Sequence, residues 1–298
     1  MTPTIRRLPR NHIDFTRWDQ AVMTDAVPLP YGLSWWLDAA TENSWEGLIV
    51  DDYRVVLPLP KLRRYGIVPT YGRPPFTQQL GPYGQLQGGD LAKLLTAVPA
   101  KMQIALPLRP TVDVDSIPDR FAYRSRVNLV LKLDATLSEI RGGYPGKLRK
   151  FLQRSKDDRL EPIAGEALVA LCRERLSGRG GMRDSHWDIL ASIIEACQER
   201  GVGDCYQLKE DNQLLAAGFY PHLEARTINL TAVSTERGLK RRGMSRLLDL
   251  VFQQHLERPG AVFDFEGSEI PGVRAFFEKF GGVNEGYIVV EEKLYGLR

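Results

Sequence analysis

Residues 237–245 concentrate the groups best suited to hold an anion: Arg237, Gly238, Lys240, Arg241, Arg242, Gly243, Met244 and Ser245. The glycines would let backbone approach a ligand closely. The helical spacing of Met244, Leu247, Leu248 and Val251 would aim the free N–H groups of a helix start at a phosphate. An ordinary helix-entry turn with a solvated basic face would use the same residues. A second set is Asp264, Glu266 and Ser268, closing the apolar run AVFDFEG. Strand alternation places Asp264 and Glu266 on one face and Phe263 and Phe265 on the other. A carboxylate there could act as a general base, and Ser268 or a nearby N–H could touch a substrate or an intermediate. The competing role is capping the helix at Pro271 or pairing with Arg274.

Substrate recognition has two candidate sets. Tyr71, Arg73, Phe76, Gln78 and Gln79 share an irregular, proline-rich stretch, where binding groups are often carried. Tyr123, Arg124 and Arg126 precede a strand and would suit an anionic acceptor or a polar seam. His222 follows a proline and reads as a surface residue. Cys205 would be a nucleophile only beside an activating base, and none is evident in the sequence. Cys172, Cys197 and Cys205 lack metal-ligand spacing, and the four histidines are scattered, so no metal is expected.

With 298 residues and 43% apolar composition, the chain can bury a substantial core and make one large or two ordinary domains. A net charge of +3 is too small to indicate a nucleic-acid coat, although Lys147 to Lys156 form a local basic cluster. Neither a secretory signal nor a membrane-length apolar run is evident, so the expectation is a cytoplasmic protein without stable membrane insertion.

These groups need elements to position them. WEGLIV and RVVLPLP read as a hairpin across Asp51-Asp52, and a helix, DLAKLLTAV, follows Gly88-Gly89. The apolar pattern breaks between Pro110 and Arg126, which sets the expected domains at 1–117 and 118–298. In the second, a helical stretch from Leu137 to Phe151 breaks around Gly142-Gly143 and Pro145. SHWDILASIIEACQERG is a helix with a cap candidate at Asp184 or Ser185 and Gly201 beyond its end. CYQLKE, LLAAGFY and TINLTAV are strands, the first two turning at Asp211-Asn212. After the basic turn come a helix, the strand AVFDFE, a helix with Phe276, Phe277 and Phe280 on one face, and a closing strand YIVVEEKLYG. The order is α/β, with helices on mixed sheets.

VNLVLKLDATLSEIRGGYPGKLRKFLQRS, DNQLLAAGFY and VFDFEGSEIPGVRAFFEKFGG together resemble the second domain of tandem-GNAT, FemAB-like acyltransferases. The likeness covers about residues 120–298 well. Residues 10–110 resemble a diverged first copy that lacks an evident glycine-basic loop and would shape the acceptor cleft. The resemblance implies two tandem GNAT-like domains. Lys240-Arg241-Arg242-Gly243-Met244-Ser245 stands where that group carries Q/R-x-x-G-x-G/A, with Lys first and Ser last. It implies that Val233, Arg237, Gly238 and residues 240–245 bind acetyl-CoA or another acyl-CoA, whose acyl group passes to a small-molecule or peptide amine. Aminoacyl transfer from charged tRNA to a cell-envelope precursor is the alternative, although the long charged hairpin of many such members is missing. A non-catalytic binding or scaffold protein of the same fold is a third reading. Oligomeric state stays open.

Overall fold

In the computed structural model, residues 3–64, 66–101, 103–155, 157–178, 181–256, 259–267 and 269–292 are described. They form two compact units, Met1–Arg126 with Gly286–Arg298, and Val127–Glu285. The expected boundary near residue 118 therefore moves to Arg126, and the last segment belongs to the first unit. YIVVEEKLYG does not close the second sheet as the sequence reading had it. Its described part pairs with strands on either side in the first.

The first unit holds β1 (Ile5–Pro9), β2 (Trp45–Val50), β3 (Val55–Arg64), β4 (Val68–Gly72), β5 (Tyr83–Gly84), β6 (Gln103–Leu108) and β7 (Phe121–Arg126). Its helices are α1 (Phe15–Met23), α2 (Ser34–Thr41) and α3 (Asp90–Ala97). The sheet runs β1-β2-β3-β4-β6-β16-β7, where β16 is Tyr287–Glu292, and β5 attaches to β3. β2 is buried along its whole length, as a strand covered on both faces should be. Trp18, Trp36 and Trp45, the last being the first residue of β2, are fully enclosed. Each indole N–H has an acceptor: Gly32 O, Thr77 Oγ1 and Asp38 Oδ1, respectively. The Trp35-Trp36 pair packs edge to face.

The second unit carries β8 (Leu129–Lys132), α4 (Leu137–Gly142), α5 (Gly146–Gln153), β9 (Glu161–Pro162), α6 (Gly165–Leu176) and α7 (Asp184–Glu199). Next come β10 (Gly203–Glu210), β11 (Gln213–Leu223), β12 (Arg226–Ile228), β13 (Thr231–Ser234), α8 (Glu236–Lys240) and α9 (Gly243–Gln254). β14 (Val262–Asp264), α10 (Pro271–Glu278) and β15 (Val283–Asn284) complete it. Its sheet runs β15-β8-β14-β12-β11-β10-β9, with β13 on β11.

Local cues account for much of this order. Thr136 and Glu139 form a reciprocal capping box at the start of α4. Asp211 and Asn212 both take positive φ, 52° and 59°, the turn that matches the twist of the β10–β11 hairpin. Leu247, Leu248, Val251 and Phe252 of α9 pack into one core with Phe263, Phe265, Phe277 and Phe280. The phenylalanine stripe of α10 is packing, as is Cys205, whose thiol burial pushes up to about 12. No described helix is long and apolar enough to cross a membrane.

Candidate active site

TINLTAV reads as one strand, but it bends into two. β12 lies parallel to β14, with Arg226–Ile228 beside Val262–Asp264, and Asn229 N–H donates to Asp264 O at 2.8 Å as the last rung. Beyond it β13 continues only with β11, Thr231 to Ser234 facing Phe219 to Ala216. Phe265 N–H turns the other way, to Leu129 O at 2.9 Å. The two strands thus part, and no described strand covers the second edge of β13. The cause is a bulge: between the pairs His222–Thr227 and Phe219–Thr231, two residues of β11 face Ile228, Asn229 and Leu230. Glu266 and Gly267 then turn the chain in left-handed conformations, φ 60° and 64°. A Cβ at Gly267 would stand 2.1 Å from Val127 O, which explains glycine there.

β13 leads directly into the basic segment. Val233 is buried on β13 opposite Ala217. Thr235 caps α8, accepting from Gly238 N–H at 3.0 Å and donating to Leu214 O at 2.8 Å. Arg242 takes φ 52°, and α9 starts at Gly243. Helix geometry leaves the N–H groups of Gly243, Met244 and Ser245 without an i−4 carbonyl inside α9, the first rung being Arg246 N–H to Arg242 O. Packing already accounts for both glycines: a Cβ at Gly238 would lie 1.8 Å from Leu215 O, and one at Gly243 2.8 Å from Leu215 Cβ. The segment is a short helix and a tight corner pressed on β11, where the sequence suggested an open turn.

Its charges are largely compensated by carboxylates that sequence spacing did not reveal. Arg241 Nε and Nη2 donate to Glu210 at 2.8 and 3.0 Å. Arg237 reaches Glu210 at 3.2 Å and Asp211 at 2.8 Å. Buried Arg246 grips Asp158 through two bonds of 2.5 Å and reaches Glu210 at 2.9 Å. Arg241 and Arg246 hold the Glu210 carboxyl down to about 2, against partial desolvation. Lys240 is exposed, and Arg242 stacks 5.0 Å from the Phe151 ring. Glu236, Arg237, Lys240 and Arg241 line a recess of about 550 Å³.

The carboxylates expected to share one face do not do so. Strand geometry ends at Asp264, and the left-handed turn at Glu266 breaks the alternation. Asp264 is fully enclosed: Arg226 donates to it at 2.6 Å, the Asn128 amide at 3.2 Å and Glu266 N–H at 2.8 Å. Burial pushes its carboxyl up, while these three donors favour the ionised form. Burial alone would lower Arg226, yet Asp264 and Glu285 keep its guanidinium protonated. Asp264 is thus committed to a buried ion pair and is corrected from candidate base to anchor. Glu266 is half-buried at the parting. Ser268 lies outside the described residues.

The acceptor candidates belong to the first unit. Tyr71 on β4 is buried, with its hydroxyl donating to Glu46, and Gln78 is buried and accepts from the Gln79 amide at 2.7 Å. Neither is a cleft-lining group in this arrangement. Arg73 is exposed. Tyr123 and Arg124 sit on β7, with β6 and β16 between them and β4, and Arg124 pairs with Glu291 at 2.5 Å. The two sets are therefore not brought together. His222 lies 3.8 Å from Asp204. Among the described residues no cluster of three or more His, Cys, Asp or Glu could hold a metal ion.

No family model and no curated protein matches this sequence. Solved structures do. FemX matches with a TM-score of 0.68 at 13% identity, over 97% of each chain. A tandem GNAT protein from the clavulanic acid biosynthesis pathway gives 0.55 at 12% identity, over 99% of each. The C-terminal domain of a putative lysylphosphatidylglycerol synthetase from Agrobacterium fabrum gives 0.57 at 14% identity, over 94% of this chain and 91% of that one. With two mixed α/β units, strands that part at Asn229 and a helix start following directly, the chain has a tandem-GNAT, FemAB-like fold.

Proposed function

We propose that this chain is a GNAT-type N-acyltransferase that moves an acyl group from acyl-CoA to an amine. The parting of β13 from β14, with β13 running through α8 into the start of α9, is the observation that carries the reading. It leaves an unpaired strand edge for the donor's amide arm and helix N–H groups for its diphosphate. The acceptor's neutral nitrogen attacks the thioester carbonyl. The C–N bond forms, the C–S bond breaks and the thiol leaves with a proton. Glu266, partly exposed at the strand end, is the candidate base for the amine proton. Val233, Met244 and Ser245 contribute backbone, while Lys240 and Arg242 supply charge.

Calorimetric titration with acetyl-CoA and longer acyl-CoAs tests this. Gly243 is unsuitable as the control because a side chain there collides with Leu215. Lys240→Glu with Arg242→Glu alters exposed side chains instead. Binding by the native chain that these changes abolish supports the donor site. Absence of binding at millimolar ligand sinks it.

Charged tRNA is a second reading, favoured by one observation: α5 and the residue after it expose Lys147, Arg149, Lys150 and Arg154. Affinity for charged tRNA that falls steeply with salt and is lost on reversing these charges would select it over acyl-CoA.

A further inference from the structure

Three guanidiniums from the α8–α9 segment converge on Glu210, a residue of β10. With Asp158 and Asp211, that carboxylate balances Arg237, Arg241 and Arg246 charge for charge. The segment is therefore far less positive than its sequence, and what remains without an ion pair among the described residues is Lys240 and Arg242. We propose that Glu210 sets the affinity and charge selectivity of this site, acting as a built-in counter-ion that a donor's diphosphate must displace from Arg241. This rests on the reading that residues 237–245 receive the donor's phosphates.

The three arginines differ in what holds them. The Arg246 side chain is 7% exposed and keeps two bonds to Asp158 whatever Glu210 does. Arg237 has Asp211 and Gln213 besides. Arg241 is 58% exposed, and its ion pair among the described residues is with Glu210 alone. Arg241 is thus the group able to exchange partners. The Arg241–Glu210 fork keeps its guanidinium in water, where ion pairs contribute least, and a phosphate accepts the same fork in short, charge-assisted bonds while bringing more negative charge than one carboxylate. A carboxylate tethered in the same chain also acts at an effective concentration of order millimolar, so a dilute monoanion cannot displace it. A diphosphate with several charges can. Glu210 is a positioning residue in this scheme, acting through Arg241.

The test titrates the whole chain with coenzyme A, inorganic pyrophosphate and acetate, in low and high salt. Native protein is compared with Glu210→Gln, Arg241→Gln, the double variant and Asp211→Asn. Glu210→Gln should bind coenzyme A and pyrophosphate about fivefold more tightly, with acetate remaining undetectable. The gain should vanish in the double variant, because Arg241 mediates it. A purely structural role for Glu210 would lower thermal stability and tighten nothing. Glu210→Asp, which draws the carboxylate back while keeping its charge, should shift binding in the same direction and serves if the glutamine variant does not fold. Unchanged or weaker binding by both Glu210 variants, with native protein still binding coenzyme A, overturns the inference and leaves the donor reading standing. An equal gain in Asp211→Asn, or one that survives loss of Arg241, also overturns it, since net charge would then suffice. If no form binds coenzyme A or pyrophosphate at millimolar concentration, the donor reading falls and this inference with it.

Discussion

Arg226 and Asp264 are each nearly sealed from water, and each is the other's main charge partner there, with Glu285 a second partner for Arg226. Asp264→Asn would leave the buried guanidinium with Glu285 alone, so it should cost about 3 kcal/mol in urea unfolding. Turnover per folded molecule should be largely retained. A stable but inactive variant would instead restore Asp264 as the base. Glu210 gives a pH prediction of defined sign. Its folded carboxyl titrates at about 2, below the ordinary 4.5. The unfolded chain takes up that proton first, so stability is present above about 4.5 and is lost as pH falls toward about 2. Unfolding free energy measured through this window should fall less steeply in Glu210→Gln than in the native chain.

The elements of the second unit owe their order to contacts of very different range. Gly238 shows the tightest: its Cα lies so close to β11 that Gly238→Ala must move either α8 or Leu215 O. We expect a loss of about 1–3 kcal/mol in thermal unfolding, in the absence of any ligand. Features fixed within a few residues were legible in the sequence. They include the Asp211-Asn212 turn, the break between α4 and α5, and the body of α7 with Gly201 in positive φ beyond it. The cap of α7 fell one residue early, on Arg183. The split of β12 from β13 was not legible, because the bulge against β11 and the point where β14 stops pairing are both set by strands outside that run. The clamp on Arg241 was hidden for the same reason, since Glu210 lies 31 residues away and no local spacing links them. Alternation misled at Glu266 because a left-handed residue resets which face a side chain meets.

At the scale of the whole molecule, the units differ in how they are encoded. All eight strands of the second sheet lie within Val127–Glu285. That fragment should fold alone and unfold cooperatively, as followed by circular dichroism. Met1–Arg126 alone lacks β16, which stands between β6 and β7 and pairs with both. The edge of β6 and the whole of β7 would then be left uncovered, so this fragment should aggregate or stay unfolded in size-exclusion chromatography. Joining residues 286–298 to it through a short linker should restore a monomeric fold.

The placement of β16 also fixes a timetable. On a translating ribosome the chain emerges from its N-terminus, and domains ordinarily finish in that order. Here every residue of the second unit has been made before β16 appears, so the unit begun first is the last that can be completed. Throughout synthesis β6 and β7 wait with open edges, and the burden of protection by chaperones falls on the first of the two units to be made.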